Sequence, residues 1–111
     1  MKKILAGLIA AICFVGNAQA VYVQEGFSNT YNITSATVIK TSPGRIYKIS
    51  VIVAGSAAGT VNDVTTTGAV SANNEVAVIP NTVGVTDINW PMNTGIVIVP
   101  GTGQTVSISW E

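Results

Sequence analysis

The sequence predicts an all-β protein: a small antiparallel β-sandwich, jelly-roll-like, of about seven or eight strands behind an N-terminal signal helix. Three observations predict it. After residue 20, short Val/Ile-rich runs alternate with clusters of Gly, Pro, Asn and Ser. No stretch there repeats its apolar residues at the helical period. The last run alternates throughout, with Val106, Ile108 and Trp110 pointing one way and Thr105, Ser107, Ser109 and Glu111 the other. That is the pattern of an antiparallel strand with one wet face.

Residues 1–20 read as a secretory signal. Lys2 and Lys3 precede an apolar run from Ile4 to Gly16, and Asn17-Ala18-Gln19-Ala20 ends in the small-x-small pattern that signal peptidase accepts. Cleavage is expected between Ala20 and Val21. The run falls short of the roughly 20 residues of a spanning helix, so no stable membrane span is expected after cleavage. Without cleavage it would remain as an anchor. Ile12 precedes Cys13 where a lipoprotein signal would carry a small residue. The expected address is therefore secreted, periplasmic or extracellular.

Residues 21–35 are irregular and read as an N-terminal arm or an edge strand. Residues 36–111 form the sandwich domain. Ala36 to Lys40 is a strand, expected to pair across the Ser42-Pro43-Gly44 turn with Arg45 to Ala54. In that second strand Tyr47, Ile49, Val51 and Val53 would share one face, and Ile46, Lys48, Ser50 and Ile52 the other. Thr60 to Thr65 follows the Gly55–Gly59 loop, and Thr66 to Asn74 is polar and loop-like. Glu75 to Ile79 is a strand closed by Pro80-Asn81, and Gly84 to Trp90 is one closed by Pro91. Gly95 to Val99 and Thr105 to Trp110 would make a final hairpin around Pro100-Gly101-Thr102-Gly103.

Composition excludes more than it includes. The whole chain holds five basic and five acidic residues, no His and one Cys, in the signal. Beyond the signal, Lys40, Arg45 and Lys48 stand against Glu25, Asp63, Glu75, Asp87 and Glu111, a net charge of −2. No basic patch exists to hold nucleic acid. Without His or Cys, the Ser-His-Asp and Cys-His arrangements and His/Cys zinc sites are excluded. Nothing in the spacing pairs the carboxylates across a sugar, so they read as solvated surface groups. No enzyme activity and no cofactor is expected. A small core without disulfides favours association, with copies of itself or within a larger protein assembly.

The remaining candidates are binding groups. Asn62-Asp63 and Asn73-Asn74-Glu75 carry oxygen ligands suited to calcium, but their spacing matches no EF-hand and reads as turn chemistry. Tyr22, Phe27 and Tyr31 cluster in the N-terminal segment, as anchors on a neighbouring subunit or as cover for the domain's own core. Asn73, Asn74 and Trp90 mark a possible binding loop for a glycan or a host-surface receptor. Trp110 alternates in phase with core residues. Asn32-Ile33-Thr34 fits the glycosylation sequon.

Thr41 to Trp110 also resembles a known group. The motifs SPGR at 42–45, AGTVND at 58–63, IPNTVG at 79–84 and IVIVPGTGQTVSISW at 96–110 are similar to those of small virion-associated β-domain proteins of tailed-phage and prophage genomes. The resemblance implies a structural, capsid-decorating role without catalysis, and it assigns no binding residues. The secretory signal departs from that group, whose head proteins assemble in the cytoplasm.

Overall fold

The computed structural model describes residues 27–111. The signal, its cleavage point and Tyr22 lie outside the described residues. Eight strands follow in order: β1 (Ser28–Ile33), β2 (Thr37–Lys40), β3 (Gly44–Val53), β4 (Gly59–Asn62), β5 (Glu75–Ile79), β6 (Gly84–Met92), β7 (Ile96–Val99) and β8 (Thr105–Trp110). Two 3₁₀ turns, Thr67–Ala69 and Ala72–Asn74, lie between β4 and β5. No helix among the described residues is long and apolar enough to cross a membrane.

The strands form two four-stranded antiparallel sheets, ordered β1-β8-β3-β6 and β2-β7-β4-β5. Successive strands alternate between the sheets, except that β4 pairs directly with β5. This is the jelly-roll order of two interlocked Greek keys. It overturns two expected pairings. β2 pairs with β7, not with β3, so Ser42-Pro43 carries the chain from one sheet to the other. β7 and β8 also belong to opposite sheets, so Pro100–Gly103 is a crossover and not a hairpin turn. Both loops have hairpin-like composition, but the buried faces decide the partners. Within the N-terminal segment, Ser28–Ile33 forms the outer strand of the first sheet, hydrogen-bonded along β8.

The core is aliphatic and lies between the sheets. Ile33, Ile46, Ile49, Val51, Met92, Val106 and Ile108 come from the first sheet, and Val61, Ile79, Ile96 and Ile98 from the second. The phase expected for β3 fails at two places. Ile46 and Lys48 face the adjacent residues Trp110 and Ser109, so Tyr47 is an extra residue opposite β8. That bulge places Ile46 on the same buried side as Ile49 and Val51. A second irregularity between Val51 and Val53 leaves Val53 half-exposed. Trp110 covers the core edge as its phase suggests, and its indole N–H donates to Thr30 Oγ1 at 2.9 Å.

Candidate functional site

The register lays out the exposed side of the first sheet in rows. One row runs Asn29, Ser109, Lys48, Asp87, and the next runs Ser107, Ser50, Val85. Tyr31 stands beside the second row on the β1 edge and is 68% exposed. The central strands carry serines because the opposite phase of each is spent on core Ile and Val. Small side chains in the middle and larger ones at the edges leave a shallow trough of about 210 Å³, lined by Tyr31, Asn29, Ser50, Ser107, Ser109, Lys48 and Val85. A second hollow of about 310 Å³ lies between Tyr47, Lys48, Asp87 and Asn89. The Lys48 ammonium donates to Asp87 Oδ1 across β3 and β6.

Beside the trough lies an aliphatic patch. Val51 pairs with Gly84 and Ser50 with Val85, and Ile52, Val53 and Val83 follow directly where this pairing ends. These four are 50%, 48%, 62% and 65% exposed. All four are β-branched, so they pack as stiff knobs with little side-chain entropy to lose.

One end of the sandwich is polar and tightly bonded. Asp63 Oδ1 accepts the backbone N–H groups of Thr94 at 2.7 Å and Gly95 at 3.2 Å, and its Oδ2 accepts that of Asn93 at 2.9 Å. Partial burial alone would raise this carboxyl, but the three N–H donors, with the Thr94 hydroxyl, hold it below the usual aspartate range. Here too the Tyr47 hydroxyl donates to Glu111 Oε1, and that bond is the main reason its phenol is held above the ordinary tyrosine value.

The structure separates the sequence candidates. Phe27 is half-exposed and meets Tyr47 edge-on, with ring centroids 4.5 Å apart. Tyr31 borders the trough. Asn74 is spent within its own loop: its Oδ1 accepts from Ser71 N at 3.0 Å and its Nδ2 donates to the Ala69 carbonyl at 2.9 Å. Asn73 donates its backbone N–H to Ser71 Oγ at 3.3 Å, completing the cap of that turn. Trp90 is half-exposed on edge strand β6, opposite Ile46. Asp63, read as a solvated group, instead ties the β4–β5 loop to the β6–β7 loop.

Sequence reasoning did not single out Lys48, Asp87 or the Ile52–Val85 patch. The outward phase of Ser50, Ser107 and Ser109 was legible. The neighbourhood of β3 and β6 was not, because it depends on pairing across more than thirty residues. Compared with family models, curated proteins and solved structures, the chain matches none.

Proposed function

We propose that this chain is a non-enzymatic, secreted structural protein, a subunit or decoration of an extracellular or virion-type assembly. The observation that carries this reading is the group of exposed β-branched residues, Ile52, Val53, Val83 and Val85, gathered around the end of the β3–β6 pairing. Exposed apolar side chains grouped at one place on a small domain support a reading in which a partner covers them. The jelly roll is used by capsid and lectin domains alike, which supports the reading by analogy of fold alone.

The test is native context. Particles and surface fractions purified from the source should contain the protein, with Val21 as its first residue by mass spectrometry. In parallel, size-exclusion chromatography with light scattering should show self-association or co-elution with a larger assembly. A stable monomer found in no particle would overturn the proposal.

The trough favours a second reading, a binding module for a glycan or host-surface receptor. Tyr31 offers a ring for a sugar to stack on, and the serine and asparagine side chains beside it offer hydroxyl and amide partners. A glycan array followed by Tyr31→Ala separates the two readings. Saturable binding lost in the variant supports the module; an empty array supports the assembly subunit.

A further inference from the structure

The aliphatic patch on β3 and β6 has a defined charge pattern beside it. Two residues beyond Ser50 and Val85 toward the Trp90 end, with Ile49 and Thr86 between, stand Lys48 and Asp87, opposite in sign and directly paired in register. Their side chains are 60% and 74% exposed. Arg45 and Glu111, a further cation and anion whose backbones bond each other, lie past the Tyr47 bulge. This half of the sheet is therefore neutral, apolar at one end and dipolar at the other.

We propose that a second copy of this chain covers the patch through a two-fold contact, with the axis running along the line between β3 and β6. This rests on the reading of the protein as an assembling subunit and names the partner. A two-fold contact requires a self-complementary surface. Rotation about this axis places β3 of each copy over β6 of the other. Lys48 then faces Asp87 of the second copy, and Asp87 faces its Lys48. Val85, which stands proud, meets the low Ser50 of the other copy, and Ile52 and Val53 meet Val83.

The contact is small. Two strands span about 10 Å, and eight residues about 27 Å, a footprint of roughly 270 Å² per copy. A standard stable interface buries about 800 Å² per partner. Pairing is accordingly weak in solution and concentration-dependent, and it gains strength only where an assembly holds many copies together. A weak contact of this kind depends on charge for orientation: like charges brought face to face abolish it, and opposite charges restore it.

The experiment is sedimentation equilibrium, up to about 1 mM, on protein secreted from the full-length gene. The wild type should pair reversibly. Lys48→Glu puts two acids on each face and Asp87→Lys puts two bases there, so each variant alone should pair at least about tenfold more weakly. An equimolar mixture of the two variants should recover pairing as a heterodimer. Val78→Lys, on edge strand β5 of the other sheet, should leave pairing unchanged. Far-UV circular dichroism of each variant should match the wild type.

Wild-type pairing that is indifferent to Lys48→Glu and Asp87→Lys, or that Val78→Lys abolishes, overturns this surface and leaves the assembly reading standing. A wild type that stays monomeric across the range also overturns it, and the assembly reading is then decided by the native particles. Saturable shifts at Ser50 and Val85 on adding a glycan, without pairing, would overturn both.

Discussion

Asp63 shows how one side chain replaces a missing staple. Its two oxygens gather three consecutive N–H groups, Asn93 to Gly95, that have just left β6 and would otherwise need water. Bonds of this kind, to a charged acceptor, contribute about 1.5–3 kcal/mol in favourable cases. Asp63→Asn keeps one acceptor oxygen and loses the charge, so it should lower unfolding stability by about 1–3 kcal/mol in urea melts. The sign of the pH effect follows from the depressed carboxyl. The unfolded chain protonates near the ordinary value of about 3.9, and the folded chain only below it. The contribution is therefore full above about pH 4 and is lost as pH falls through the lower, folded value. Melts between pH 2 and 7 should show the wild type losing more stability in acid than Asp63→Asn does. Gln104 does similar work at the opposite end. It is buried, its Oε1 accepts Gly101 N at 2.9 Å, and its Nε2 donates to the Pro80 carbonyl at 2.8 Å. Gln104→Leu strands both partners, and thermal unfolding should report a loss of about 2–4 kcal/mol.

At the scale of the element, bulges decide what each strand shows to whom. Asn32 and Asn89 hold φ of 56° and 48°, the left-handed region, at the irregular points of edge strands β1 and β6. Asn tolerates this conformation; a β-branched residue does not. Asn89→Val should cost about 1–2 kcal/mol, and Asn89→Gly close to nothing, by denaturant titration. Asn89 also accepts from the Arg45 guanidinium through its carbonyl and its Oδ1, so Gly keeps one of these bonds. The bulges also mark the limit of what the sequence discloses. The alternation of β8 was readable because nothing interrupts it, and Glu75–Ile79 was readable because Pro80 closes it. In β3 the same reading placed Ile46 on the face of Lys48 and Ser50, opposite Ile49 and Val51, since an extra residue at Tyr47 has no local signature. It exists only against β8, sixty residues later. The crossovers at Ser42-Pro43 and Pro100–Gly103 were hidden for a related reason: turn residues announce a bend and not the sheet that the next strand joins. Of the candidate site, the sequence singled out Tyr31 but left open whether it is exposed or covers the core, whereas Lys48 with Asp87 required the pairing of β3 with β6.

At the scale of the molecule, almost every pairing joins distant parts of the chain. β1 meets β8, β2 meets β7, and β3 meets both β6 and β8. Only β4 and β5 are neighbours in both sequence and space. Such topologies must close long loops before contacts compensate for the lost entropy. Refolding should therefore take milliseconds to seconds, slower than a helical bundle of the same length, as stopped-flow fluorescence of Trp90 and Trp110 would show. The two ends of the sandwich are also fastened independently. Asp63 binds the loops at one end. At the other, Asn81 exchanges hydrogen bonds with both backbone groups of Gly55, whose missing Cβ lets the Thr102 carbonyl pass close by.

The pairing of the first strand with the last has a consequence for display. Ser28 lies opposite Trp110, and Phe27 lies against the Tyr47 that bonds Glu111. The chain thus enters and leaves the sandwich one strand apart, on the same end. A tether on either terminus departs from that end, and the loops at 34–36, 54–58, 80–83 and 100–104 are carried at the other. A cargo spliced onto Glu111 would emerge beside the tether, whereas one inserted at 54–58 would ride at the tip, a sandwich-length away.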